Sequence, residues 1–256
     1  PQWRSRFLTK PDHATYYVGM NNRIKPFDNP LVRQAVAMAI DKKRLVRLVN
    51  GRGVPARGFL PPTLPGANPQ VQGAPYDPAR AKALLARARY PHGFATTYWC
   101  SNAQTSLKIA QSIQYDLSRI GIQATLRPLA FPVFLSAVGR EGNVPIFTGN
   151  WSQDFPDPSN FLGTIFSSRA IRPVNSLDTT FFSNAQVDRL LDTAARTMPE
   201  PSRFGLYRQT EQLILELSPV VPLFHPKRYA LAQPGVKGLE LHPVWPVDAE
   251  RIEVTR

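Results

Sequence analysis

Proline constrains this chain more than any other residue type: 26 of 256 positions carry it, about twice the usual share of roughly 5%. Each ring fixes φ near about −65° and removes a backbone donor, which argues against a long helical bundle and for rigid connections and abrupt helix starts. Three prolines follow a capping side chain directly, in Asn29-Pro30, Asp77-Pro78 and Asp157-Pro158. Each pair reads as an N-cap followed by proline at the first helical position. Six more crowd the stretch from Gly51 to Pro75 (Pro55, Pro61, Pro62, Pro65, Pro69 and Pro75). That stretch is predicted to be a long irregular loop, a length that is uncommon unless the loop has a role.

Between these punctuation marks the apolar pattern alternates between two periods. Residues 14–20 are β-branched and aromatic and read as a strand. Val32, Ala35, Val36, Ala39 and Ile40 recur at helical spacing, predicting one helix over 31–49 that Gly51 ends. A helix over 79–89, a strand over 94–100, a helix over 103–120 closed by Gly121, and a strand over 122–129 follow in turn. This is the strand–helix–strand order of an α/β sheet. Less cleanly, the chain continues with a helix over 131–138, a strand over 144–150, helices over 159–167, 185–197 and 202–217, and a strand over 220–231.

Composition closes off several function classes. With 43% hydrophobic and 19% charged residues, the chain has enough apolar content for a packed core and is neither disordered nor fibrous. Its length suits one large domain or two small ones. The lone Cys100 cannot form an internal disulfide, and no Cys/His spacing resembles a zinc site. No apolar run is long enough to span a membrane. The first residues have no signal-peptide core and no initiating methionine, which reads as a mature, processed or excised segment.

The net charge of +13 raises nucleic acid as a partner. The densest cluster, however, is only Lys42, Lys43, Arg44 and Arg47, and the remaining arginines are scattered. That distribution is a compositional bias rather than a binding footprint, so no nucleic acid is expected. Hydrolase signatures are missing as well. There is no G-x-S-x-G, and His13, His92, His225 and His242 have no serine or cysteine partner near them in sequence. Gly51-Arg52-Gly53-Val54-Pro55-Ala56 matches a relaxed dinucleotide pattern, but it closes a helix instead of opening one.

The segment 149–161, Gly-Asn-Trp-Ser-Gln-Asp-Phe-Pro-Asp-Pro-Ser-Asn-Phe, is the most informative. It follows a buried strand, where loops of α/β proteins form ligand clefts. A carboxylate beside an indole face suits a cationic group, through a charge-assisted hydrogen bond and cation–π attraction. Asp157 is assigned to capping, leaving Asp154 as the candidate ligand group; the two acids could otherwise form an acid/base pair.

This segment, Pro26-Phe27-Asp28-Asn29 followed by Val32-Arg33-Gln34-Ala35, the helix opened by Asp77-Pro78-Ala79-Arg80, and Ile120-Gly121-Ile122 together resemble the extracytoplasmic solute-binding proteins of family 5. These are the peptide, oligopeptide and nickel-type receptors of ABC importers. The resemblance implies an α/β fold, namely one lobe of the periplasmic-binding-protein type II architecture with a mixed sheet flanked by helices. Residues 1–256 would be the C-terminal ligand-binding lobe. Its core would occupy about 14–230, and an extended tail over 231–256 would return toward a missing N-terminal lobe in the same gene or on a separate chain.

The resemblance also implies a peptide-like solute, a membrane permease as partner, and a periplasmic or extracellular, membrane-associated location. It implies no cofactor, no metal and no catalysis. It would place Asp154 on the ligand's α-amino group and Trp151 along the cleft, with Phe131 as a further aromatic contact and Arg140 near the ligand carboxylate. The alternatives are a ligand-sensing domain of a transcription regulator, or a hydrolase using Asp154 and Asp157.

Overall fold

The computed structural model describes residues 6–241 and 249–254. Its strands are β1 (Phe7–Pro11), β2 (Ala14–Met20), β3 (Gly53–Pro55), β4 (Phe94–Ser101), β5 (Ile122–Leu129), β6 (Ile146–Ser152), β7 (Val220–Leu231), β8 (Val236–Lys237) and β9 (Glu253–Val254). The helices are α1 (Pro30–Ala39), α2 (Lys42–Leu48), α3 (Pro78–Arg87), α4 (Gln104–Arg119), α5 (Phe131–Val138), α6 (Pro158–Phe166), α7 (Ala185–Arg196) and α8 (Glu200–Leu217).

Seven strands form one mixed sheet in the order β1-β7-β2-β6-β4-β5, with β3 also on β7. β4 runs parallel to both β5 and β6, whereas β2 is antiparallel to β6 and β7. Alternate residues serve opposite faces. Val18, Tyr98 and Ile146 pack under α1, α3 and α4, while Tyr17, Trp99 and Phe147 pack under α5, α6, α7 and α8. The expected α/β layering is therefore observed, with a core on each side of the sheet.

The three cap-plus-proline signals all work as predicted. Asn29 accepts from the Leu31 N–H, Asp77 from the Arg80 N–H and Asp157 from the Ser159 N–H, each with proline opening the helix. Each cap satisfies one of the orphan donors of the first turn. Gly93 and Gly121, before β4 and β5, both adopt positive φ, and their backbones touch. A Cβ at Gly93 would lie 1.9 Å from the Gly121 carbonyl oxygen.

Three expectations need correction. The single helix over 31–49 is two helices, because Ile40 is extended and Asp41 caps α2 by accepting the Arg44 N–H. The Asp41 N–H in turn donates to buried Asp116. The basic cluster breaks up here too. Lys42 Nζ turns in to the Ala56 carbonyl, and Arg44 pairs with Asp116 at 2.5 Å. Second, β1 pairs with the outer half of β7, from Pro11 opposite Lys227 to Phe7 opposite Leu231, although no strand is predicted there. Third, the proline-rich stretch is irregular for most of its length, as predicted, but it is not all loop. It supplies β3, and Phe59, Leu60 and Leu64 are buried in the core. In the tail, β8 and β9 pair with each other, and His242 lies outside the described residues.

Glu211 of α8 tethers the proline-rich segment. Its Oε1 accepts both the Phe59 and Leu60 N–H groups at 2.8 Å, while Oε2 is buried with no hydrogen-bond partner. Burial pushes Glu211 up to about 7 against those two bonds. A carboxyl whose folded pKa is raised stabilises below its unfolded value and loses that contribution as pH rises through about 7. Glu211→Gln, which cannot ionise, is therefore expected to match the parent protein near pH 5 and to gain by about 3 kcal/mol by pH 8. Thermal or denaturant melts of the two proteins across that range check this; parallel curves would show that Glu211 ionises with the same pKa in the folded and the unfolded chain. In the same assays Gly93→Ala should cost at least about 2 kcal/mol, from positive φ and the backbone clash.

Candidate functional site

The parallel strands β4, β5 and β6 end together, and the side chains singled out in segment 149–161 lie at that end. Trp151 falls within β6, opposite Thr15 of β2, so the strand extends beyond the predicted 144–150. The Gln153 N–H then donates to the His13 carbonyl, continuing the ladder one step further. His13 is buried, with Nδ1 at 2.8 Å from Gln153 Oε1 and Nε2 at 3.1 Å from Thr63 Oγ1. This ring ties the start of β2, the exit of β6 and the proline-rich segment into one corner.

Asp154 is exposed at that corner but held in place. Buried Asn160, from the first turn of α6, accepts the Asp154 N–H at 2.9 Å and donates Nδ2 to Asp154 Oδ2 at 3.0 Å. The same Asn160 oxygen faces the Trp151 indole N–H at 3.4 Å. One amide thus sets both the indole and the carboxylate, leaving Asp154 Oδ1 without a partner among the described residues. Asn160 is the positioning residue that reading the sequence misses. The only sequence signal for it is an asparagine, rather than an apolar residue, two positions after the helix-opening Pro158.

Asp157 behaves as a cap and nothing more. Its Oδ1 accepts from the Ser159 N–H and hydroxyl, and its Oδ2 pairs with Arg203 at 2.6 Å. Burial would raise its pKa, but the Ser159 bonds and Arg203 outweigh that and hold it below the ordinary carboxylate range. Asp157 is therefore not a free second carboxyl beside Asp154.

Phe131 opens α5 directly beyond β5 and is 51% exposed. With β4 between β5 and β6, it sits two strand spacings from Trp151, or about 10 Å. Arg140 lies at the far end of α5. It follows the C-cap of α5, about 12 Å of helix away from Phe131. A basic group nearer the strand ends is Arg127 of β5, whose guanidinium lies 4.9 Å above the Trp99 ring. Among the described residues, no cluster of three His, Cys, Asp or Glu side chains could hold a metal ion. What the corner offers is a fixed, solvent-facing carboxylate beside an indole, a pairing whose chemistry suits a cationic group.

Known proteins resemble this chain in sequence and in fold. The chain is 34% identical over 234 residues to heme-binding protein A of Haemophilus influenzae, covering 89% of this chain and 42% of that protein. It is 34% identical over 242 residues to the glutathione-binding protein GsiB of Salmonella choleraesuis, covering 92% and 47%. Among solved structures, the periplasmic binding protein DppA from Helicobacter pylori, in complex with the peptide STSA, superposes with a TM-score of 0.90 at 27% identity; the match covers 100% of this chain and 50% of that one. The chain thus spans about half the length of the relatives it matches, in keeping with the one-lobe expectation. These relatives are binding proteins by name. Residues 4–172 match the model of the middle region of the bacterial extracellular solute-binding proteins, family 5, and the chain belongs to that family.

Proposed function

We propose that this chain is the C-terminal lobe of the solute-binding component of an ABC importer, and that with a second lobe it closes on a peptide-like solute and presents it to a membrane permease. The observation that carries this reading is Asp154: an exposed carboxylate with one free oxygen, locked by Asn160 next to Trp151 at the ends of three parallel strands. It would receive the solute's cationic amine, with Trp151 and Phe131 as apolar walls. Arg140, at the far end of α5, would lie nearer the solute's carboxylate. A peptide is favoured by the STSA complex of the similar DppA structure.

The activity is binding without turnover, since Asp157 is committed to Ser159 and Arg203. The location is periplasmic or extracellular, at the membrane that holds the permease. The lobe core would run over about 14–230, with the exposed ribbon of β1 and outer β7 and the segment after 231 facing the second lobe.

In the complete two-lobed receptor, Asp154→Ala should weaken binding of a free dipeptide such as Ala-Phe by about 2 kcal/mol or more, roughly 30-fold. N-acetyl-Ala-Phe, which has no charged amine, should bind weakly and equally to both proteins. Titration calorimetry of the four combinations decides the matter: an equal loss for the acetylated peptide means Asp154 does not hold the amine. Asn160→Ala should reproduce part of the loss for the free dipeptide while leaving Asp154 in the chain.

A further inference from the structure

A second cavity lies away from the strand-end corner, beneath the proline-rich segment. It encloses about 900 Å³ between the start of α2, β3 and residues 56–76. Its walls are largely apolar, with Pro55, Leu60, Pro62 and Val71 among them, and its charged groups are Asp41, Lys42, Lys43 and Arg57.

The one acid is already engaged. Asp41 Oδ1 accepts the Arg44 N–H at 3.0 Å, and its Oδ2 stands 4.0 Å from Arg47. Lys42 is different. Its Nζ makes one hydrogen bond, 3.1 Å to the Ala56 carbonyl, out of three that an ammonium can donate, and no carboxylate pairs with it. Burial without a counter-charge pushes Lys42 down to about 8. His225 lines the same cavity. Its Nδ1 is taken by the Ala14 carbonyl and Thr15 Oγ1, which leaves Nε2 as the unengaged nitrogen. Burial, with the Lys42 charge adding to it, holds His225 at about 4 and therefore neutral.

Were Lys42 only a pin for the loop, one carbonyl contact would be its whole purpose. A carbonyl does not neutralise the half-buried Lys42 ammonium, and charges drawn away from water are normally paired. The unbalanced charge in a roomy, mostly apolar cavity calls for an anion larger than a bare inorganic ion. We propose that this cavity is a second ligand site for a small organic carboxylate, its anionic end on Lys42 Nζ and its apolar body against Pro55, Leu60, Pro62 and Val71. Arg57, exposed at the mouth and without an ion pair among the described residues, adds attraction on entry. The site is independent of Asp154 and would stand if the importer reading failed.

The test is lysine footprinting of the 256-residue chain with formaldehyde and a mild reductant, read by mass spectrometry. Hexanoate should protect Lys42 while leaving the exposed Lys43 unchanged. Hexanamide, the neutral isostere, and inorganic phosphate should protect neither. Equal protection by hexanamide would reduce the site to a greasy pocket, and equal protection by phosphate would make it an inorganic-anion site; either result overturns the proposal, as does no protection up to the solubility limit of hexanoate. By calorimetry, Lys42→Met should lose hexanoate affinity by about tenfold or more, the scale of a charge-assisted hydrogen bond. If that variant fails to fold, Arg57→Ala, a change at an exposed side chain, carries the test: it should weaken hexanoate but not hexanamide, and unchanged hexanoate affinity would count against the site.

Discussion

Strand β6 pairs antiparallel with β2 along its whole length and parallel with β4 along part of it, and both the layers and the site depend on that double role. The β2–β6 register runs unbroken from Met20 opposite Ile146 to Ala14 opposite Ser152. It is set by side-chain sizes as well as hydrogen bonds: Gly19 faces Phe147, whose ring occupies the space a Cβ at Gly19 would need, within 2.2 Å. A one-residue slip would exchange the two faces of the strand, moving Phe147 out of one core and Ile146 out of the other. Because the register is fixed, the exit of β6 is fixed too, and Trp151 and Asp154 emerge beside His13 and the proline-rich segment.

The legible parts of this architecture are those whose cause is local. Cap-plus-proline pairs place three helix starts correctly, and α4, with Ile109, Ile113 and Leu117 on its buried stripe, ends at Gly121 as its pattern implies. What escapes is set by distant partners. The break at Ile40 shows no proline or glycine, and depends on Asp41 capping α2 while Asp116, far along the chain, takes its N–H. The proline-rich segment looks like a solvated connection, yet a single carboxylate on α8 draws its backbone inward. β1 has an exposed pattern with no alternation, and exists because the second half of β7 offers it an edge.

The candidate site divides along the same line. Asp154 and Trp151 can be singled out because acid and indole lie three residues apart in a proline-bounded loop, a purely local signal. Asn160 has a cap-adjacent, unremarkable position in sequence and becomes important only when α6 folds back and places one amide against both side chains. Arg140 also lies near in sequence, yet the eight residues of α5 separate it from the strand ends. Helical rise converts a short sequence distance into a long spatial one.

A carboxylate left in water is a weak ligand, since an exposed ion pair is worth about 0–1 kcal/mol. The chain nonetheless keeps Asp154 exposed while committing Asp157, three residues on, to Ser159 and Arg203. Phe155, next to Asp154 in the chain, is about half exposed, and so are Phe131, Val133 and Leu135 of α5, the helix that follows β5. An exposed acid gains little by itself. It gains a great deal once a second wall excludes water, because the same charge pair strengthens several-fold as the local dielectric falls. Exposed apolar side chains supply a reason for that wall to close, and Asn160 holds the carboxylate so that closure does not have to order it. On the proposed reading affinity would belong to the closed two-lobed receptor, to which this chain would contribute the charge and its orientation.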